Sequence, residues 1–466
     1  MRFFDVSTAF LSGKEIGRTV YVRGPVDGLP SVNGSQRVRP YKLMKVLKGA
    51  YGLTEAPRLW YLRARELLTD EIGFIELCCA RAVFILQDKG VTVAMLTLHV
   101  DDGMLAGDSS NRVYQKAVKD INSKFNIKEW HDLKQGTANY LGMRWKQDDQ
   151  GVTLDMGDYI GNLTEMEIQK PTNEDMKLGD GAVHMFRSTL AKVRWPVSHV
   201  VPELAYAVSS LAQVSPAALE WDQARQLNLV VVALKKMAKA GQAQIVLPRL
   251  RGDEITVVTP FDASFAKEPG MKSQAGFISF LTTGDVTRGE VPCALVEYQS
   301  TTISRVVKST LASESASLST ALDRQLYLRL LVQSLLHGEP TYAPDWRHKL
   351  TIPGILVTDA KSLYDHLNTT GKIPKERQTM IDLLVARDLI EANAVKLMWV
   401  PTKHMLADIL TKMMLAGDIF KRFRDKQVFS LIRDGEEQEE EQRKLGLRQG
   451  QRQRRKARDK AVKEED

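Results

Sequence analysis

Apolar positions early in the chain change rhythm every ten or so residues, and each change predicts an element. Residues 3–11 (FFDVSTAFL) are largely apolar and read as a strand running into a helix or turn, with Asp5 inside. Residues 20–30 alternate weakly and end in Pro and Gly, a strand then a loop; 31–40 read as loop with two arginines. Residues 41–50 carry Lys42, Lys45 and Lys48 at helix-like spacing, a basic stripe. Pro57 precedes a helix over 59–69. Residues 96–100 and 104–106 are apolar and flank Asp101-Asp102-Gly103, which predicts a tight hairpin with the acids at its tip. A charged amphipathic helix over 111–125 and a small hairpin from 139–145 and 151–155 complete this part.

Residues 171–181 read as a polar linker. The helical pattern that starts at Met185 contains Pro196 and Pro202, which should break it into pieces. Residues 216–239 form another helix, closed by basic residues and Gly241. Further on, strands are expected at 255–258 (ending near Asp262), 275–281, 294–300, 354–358 and 394–400. Helices are expected at 309–330, 360–367, 377–390 and 405–412.

At 466 residues the chain is too long for one core, and two or three domains are expected. Hydrophobic residues at 43% and charged residues at 26% describe a globular protein, with no stretch resembling a membrane span. Cys78, Cys79 and Cys293 make neither a disulfide framework nor a zinc ligand set, which suits a reducing intracellular compartment, cytoplasmic or nuclear. A formal charge of +8 favours a polyanionic partner. The acidic run 434–441 and the basic run 443–460 read as a disordered tail over 431–466, serving nucleic-acid binding, nuclear import or solubility.

Adjacent carboxylates inside an apolar run are costly without a cation. Asp101-Asp102 reads equally as an ordinary Asp-Gly turn or as the tip of a metal site. Alone, Asp5 reads as a cap or turn residue, and the lysines and arginines read as a solvated face or a phosphate-gripping surface.

Three blocks, FFDVSTAFLSG, LKGAYGLTEAPRLWY and LTLHVDDGMLAGD, occur in order and are followed by YLGMRW. Together they resemble the reverse transcriptase of copia-type (Ty1/copia) long-terminal-repeat retrotransposons, and the resemblance continues to about residue 418. It implies an α+β and α/β multidomain fold. Residues 1–170 would be an incomplete, N-terminally truncated palm with partial fingers, 171–250 a helical thumb-like connection and 251–418 a ribonuclease H-like domain. Asp5, Asp101 and Asp102 would be the polymerase carboxylates. Phe10 would sit under the incoming sugar, and Tyr51, Gly52, Glu55 and Arg58 would lie near nucleotide and template. Glu55 departs from the family's Gln, and His99 from its usual aromatic. Asp262, Glu314, Asp359 and Asp408, in the strings FDAS, STLASES, VTDAKS and HMLADILTK, would be the ribonuclease H acids.

Each site would hold two Mg²⁺ ions, with Mn²⁺ as an alternative, for phosphoryl transfer and for hydrolysis of RNA in hybrid. The implied partners are RNA template, DNA primer, RNA–DNA hybrid and deoxynucleoside triphosphates. Lys308, Lys361 and Lys403 stand near the rear strings and read as phosphate contacts or solvated charges. Of the two reactions, hybrid hydrolysis is the stronger expectation. The alternative is a decayed or domesticated element that binds nucleic acid without synthesis.

Overall fold

The computed structural model describes residues 1–466 except 29–39, 169–176, 251–253, 339–344, 369–373, 414–416 and 432–466. Most of the loop at 31–40, most of the linker at 171–181 and the charged tail therefore lie outside the described residues.

Strand β1 (Arg2–Val6) leads through a 3-10 turn (Ala9–Ser12) into a ribbon of β2 (Glu15–Arg23) and β3 (Leu43–Lys48). The basic stripe at 41–50 is thus a strand. Met44 and Val46 are half-buried while Leu43, Lys45 and Leu47 are exposed, so period two prevails over the accidental spacing of the lysines. Helix α1 (Ala56–Glu66) follows, with Pro57 in its first turn. Next come β4 (Ile75–Glu76), β5 (Val83–Asp88), β6 (Val91–His99), β7 (Asp102–Gly107), α2 (Arg112–Lys124) and β8 (Ile127–Asp132). The α2 start is fixed by Asn111, whose side chain accepts from the amides of Val113 and Tyr114. The front sheet runs β4-β5-β6-β7-β1-β8. Trp60 and Ala64 of α1 and Tyr114 and Ile121 of α2 pack on its Phe84, Leu96 and Leu105.

The hairpin tip is Val100-Asp101, because His99 already pairs with Asp102. Asp102 and Gly103 are strand residues, and Gly103 is there for a packing reason. It sits opposite Phe4, and a Cβ on it would lie 2.1 Å from the Phe4 ring. The left-handed backbone falls to Val100 at φ 60°, an uncommon conformation for a β-branched residue.

Strands β9 (Ala138–Tyr140), β10 (Met143–Gln147) and β11 (Gly151–Asp155) precede α3 (Gly157–Gly161), α4 (Asp180–His199), α5 (Ala205–Ala212) and α6 (Trp221–Lys239). The expected hairpin is part of a larger sheet, since β12 (Gln244–Pro248) pairs with β11 to give the order β12-β11-β10-β9. Pro196 does not break α4. Its missing N–H leaves the Lys192 carbonyl without its helical donor, and the Tyr159 hydroxyl donates to that carbonyl at 3.1 Å. The chain does leave the helix before Pro202.

The rear sheet contains β13 (Ile255–Glu268), β14 (Lys272–Thr283), β15 (Val291–Thr302), β16 (Gly354–Thr358), β17 (Lys396–Trp399) and β18 (Val428–Phe429) in the order β17-β16-β13-β14-β15-β18. The β13–β14–β15 meander is antiparallel, while β16 joins β13 and β17 in parallel. Helices α7 (Thr310–His337), α8 (Lys361–Asn368) and α9 (Arg377–Glu391) pack on one face. The other face shares a single core with α4–α6 and with α10 (Asp418–Lys426): Val258, Ile278 and Phe280 of the sheet join Val193, Val197, Leu227, Val231 and Phe423. This is a mixed α/β architecture in which the rear sheet is joined to helices and to the front sheet.

Candidate metal centre

Asp262 lies within β13, which continues six residues past it rather than ending there. Register places Asp262 opposite Gly276 of β14, and Gly276 opposite Ser300 of β15. This transverse row seats the 3-10 turn Leu406–Leu410 that carries Asp408. A Cβ on Gly276 would lie 2.5 Å from the Leu410 Cβ, so the turn reaches the sheet only over a glycine. Ser300 Oγ donates to the Leu410 carbonyl at 2.6 Å, and Thr411 Oγ1 donates to Asp262 Oδ2. Asp359 directly follows β16. Its carbonyl accepts from Trp399 Nε1 at 2.9 Å, pinning the strand end to β17. Glu314 lies near the start of α7, whose first turn is capped by Ser309.

One oxygen from each of Asp262, Asp359 and Asp408 lies within 4.8 Å of the others. Asp262, Glu314 and Asp408 are only 2%, 5% and 7% exposed, so water does little to relieve their charges. Burial pushes the Asp262 carboxyl up to about 7; Lys412 opposes the rise, and Asp359 and Asp408 add to it. Burial, then the neighbouring acids, raise Glu314 well above the usual range, and burial raises Asp359 as well. Glu314 Oε2 is buried without a hydrogen-bond partner. Converging acidic oxygens and an orphaned carboxylate oxygen are what a hard divalent cation satisfies. The convergence of Asp262, Asp359 and Asp408, with the buried Glu314 carboxylate near enough to feel their charge, is consistent with a divalent-metal site.

Lys412 was not foreseen from the sequence, although it stands in the string ADILTK, four residues after Asp408. Its Nζ lies 2.7 Å from Asp408 Oδ1 and 3.5 Å from Asp262 Oδ2. Of the three lysines that were foreseen, Lys361 pairs with Asp365 at 3.1 Å and lies over the Tyr364 and Trp399 rings. Lys308 is exposed just before the α7 cap.

At the front, β1 and β7 are antiparallel neighbours and Asp5 stands directly opposite Asp102. Asp101 occupies the hairpin tip, where its carbonyl accepts from Val6 N at 2.9 Å. The tip is held from below by Trp60, whose Nε1 donates to the Val100 carbonyl at 2.6 Å. Burial, then Asp101 and Asp5, raise the Asp102 pKa. The three acids share an edge, but among the described residues only the rear trio forms a group of converging ligand atoms. Phe10 is half-buried in the 3-10 turn after β1, its ring centroid 4.9 Å from that of exposed Tyr51. Gly52 and Arg58 are exposed. Glu55 is engaged by Arg18, with Nε to Oε1 at 2.6 Å and Nη2 to Oε2 at 3.1 Å, and this pair holds the Glu55 carboxyl down at about 2. The glutamate is thus neutralised by the β2 ribbon, and it takes up an arginine in doing so.

Among the described residues no helix is long and apolar enough to cross a membrane. A family model described as reverse transcriptase (RNA-dependent DNA polymerase) matches residues 1–174. The chain is 24% identical over 444 residues to a retrovirus-related Pol polyprotein from transposon RE1 of Arabidopsis thaliana, covering 91% of this chain and 27% of that polyprotein. It is 23% identical over 441 residues to the Transposon Ty1-DR6 Gag-Pol polyprotein of Saccharomyces cerevisiae, covering 88% and 22% respectively. The chain spans about a quarter of the length of these curated relatives. Among solved structures it is similar to a foamy viral protease-reverse transcriptase dRH in complex with double-stranded DNA, with TM-score 0.47 and 15% identity over 86% of this chain and 56% of that one.

Proposed function

We propose that this chain, a reverse-transcriptase- and ribonuclease H-like relative of the copia/Ty1-type retrotransposon Pol polyproteins, binds RNA–DNA hybrid and hydrolyses its RNA strand at the rear carboxylate cluster. In this reading the front half binds nucleic acid without template-directed synthesis. The observation that carries the reading is the convergence of Asp262, Asp359 and Asp408 within 4.8 Å beside the unpartnered Glu314 Oε2.

Asp262, Glu314, Asp359 and Asp408 would hold two Mg²⁺ ions, or Mn²⁺ in their place. When bound, these ions supply Lewis-acid stabilisation of the charge that develops as water displaces a ribose 3'-oxygen from phosphorus. The chain's part is to fix the donors before substrate arrives. The Gly276 and Ser300 seat locates Asp408, Thr411 orients Asp262, and Trp399 anchors the backbone of Asp359. Burial keeps competing water away from Asp262 and Glu314. Lys308, exposed at the start of α7, is suited to a phosphate of the bound strand. Net charge of +8 supports the same class of partner.

A second reading, DNA synthesis from deoxynucleoside triphosphates at Asp5, Asp101 and Asp102, is supported by the register that sets Asp5 against Asp102. Two assays separate the readings. With Mg²⁺, the full chain should cut a hybrid labelled in its RNA strand, and Asp359→Asn should abolish the cutting. Cutting that survives Asp359→Asn removes the rear assignment. Primer extension on an RNA template is expected to be absent; extension that disappears in Asp101→Asn would establish the second reading for the front site.

A further inference from the structure

Lys412 connects two of the rear acids. Its ammonium meets Asp408 at 2.7 Å and Asp262 at 3.5 Å, and Thr411 donates to the same Asp262 oxygen that faces the lysine. Its side chain is 31% exposed, so it approaches the carboxylates from the solvent side and has water to retreat into. Asp262 is nearly sealed from water, and Glu314, equally buried, has one oxygen with no hydrogen-bond partner. Buried acids with so little solvation need a cation close by.

An ammonium and a divalent ion cannot draw fully on the same two carboxylates. We propose that Lys412 is a resident counter-ion that the divalent cation must displace. In the metal-free chain its ammonium partly offsets the negative charge shared by Asp262 and Asp408, and on metal binding it is released toward solvent. The lysine thereby keeps the acids folded together while lowering the affinity of the centre for metal. This inference rests on the reading of the rear cluster as a metal centre.

The test is a calorimetric titration of the full chain with Mn²⁺, comparing wild type with Lys412→Met, Lys412→Arg and Asp359→Asn. Lys412→Met should bind Mn²⁺ about fivefold more tightly, the size of one partly exposed ion pair no longer competing. Lys412→Arg, which keeps the charge, should stay nearer to wild type than to Lys412→Met. Equal or weaker binding by Lys412→Met overturns the proposal. Should that variant fail to fold without metal, the wild type decides. Labelling of Lys412 by an amine-reactive ester, followed by mass spectrometry, should accelerate when Mn²⁺ is added, and an unchanged rate overturns the proposal. Asp359→Asn tests the underlying reading separately. If it binds Mn²⁺ as wild type does, the cluster is not the metal centre. If it loses Mn²⁺ while Lys412→Met matches wild type, only the lysine's role falls.

Discussion

Ser300 donates to the carbonyl of Leu410 at 2.6 Å, in the same transverse row that carries Asp262, and so ties the turn bearing Asp408 to the sheet bearing its partner acid. Ser300→Ala should cost about 1 kcal/mol of stability, the usual worth of such a bond, and should weaken Mn²⁺ binding. Gly276→Ala should be worse on both counts, because its Cβ would fall 2.5 Å from that of Leu410. Thermal melting and calorimetry on both variants check the order. Equal metal affinity in Gly276→Ala and wild type would show that the seat does not set the site.

The raised pKa of Asp262 fixes the sign of a pH effect in the metal-free protein. The unfolded chain gives up this proton near the ordinary aspartate value of about 4, whereas the folded chain holds it to about 7. Between these values the unfolded state binds fewer protons, so stability falls as pH rises. In EDTA the protein should melt higher at pH 5 than at pH 8, and Asp262→Asn should flatten the difference. At about 1.4 kcal/mol per tenfold change in proton affinity, the effect is a few kcal/mol at most. Mg²⁺ should restore the melting point at pH 8. A metal-free protein more stable at pH 8 than at pH 5 contradicts this account.

Tyr159 completes α4 by donating to the Lys192 carbonyl that Pro196 leaves without an amide. Tyr159→Phe should therefore destabilise by about 0.5–1.5 kcal/mol. In the Pro196→Ala background the backbone amide returns, and the cost of Tyr159→Phe should shrink toward zero. A double-mutant cycle by urea unfolding measures the coupling; purely additive effects would refute it.

Val100 carries left-handed backbone at the hairpin tip. Val100→Gly should relieve that strain and stabilise the hairpin by about 1 kcal/mol. Trp60→Phe removes the indole donor to the Val100 carbonyl and should loosen the same tip. Amide hydrogen exchange across residues 96–107 should slow in the first variant and quicken in the second.

How far these features were legible in the sequence depended on the kind of signal. Long amphipathic helices and apolar strands were readable because each repeats its signal many times: Arg377–Glu391 and Gly354–Thr358 fall where the periodicity predicts. Short or coincidental patterns misled. The lysine spacing at 42, 45 and 48 imitated a helix, while the alternation of Met44 and Val46 in β3 carried only two half-buried residues. Gly103 looked like a turn residue because Asp-Gly usually is one; its partner Phe4, roughly a hundred residues away, decided otherwise. Pro196 looked like a break because its compensating donor, Tyr159, is not local. The rear acids could be picked out through the order of their motifs. Lys412 could have been found from its i+4 relation to Asp408, but lysines near acids are too common on surfaces to stand out. The convergence of these groups belongs to the tertiary structure alone.

The joint core of the rear sheet and α4–α6 has a practical consequence for anyone dissecting this protein. Val258, Ile278 and Phe280 share one core with Val193, Leu227 and Val231, and the Tyr298 hydroxyl donates to the Val197 carbonyl at 2.6 Å. Trimming the gene to begin at β13 would not yield a free-standing domain. It would lay bare a greasy face, and the excised piece should come out of the ribosome sticky and insoluble; the shortest workable version has to begin upstream of α4.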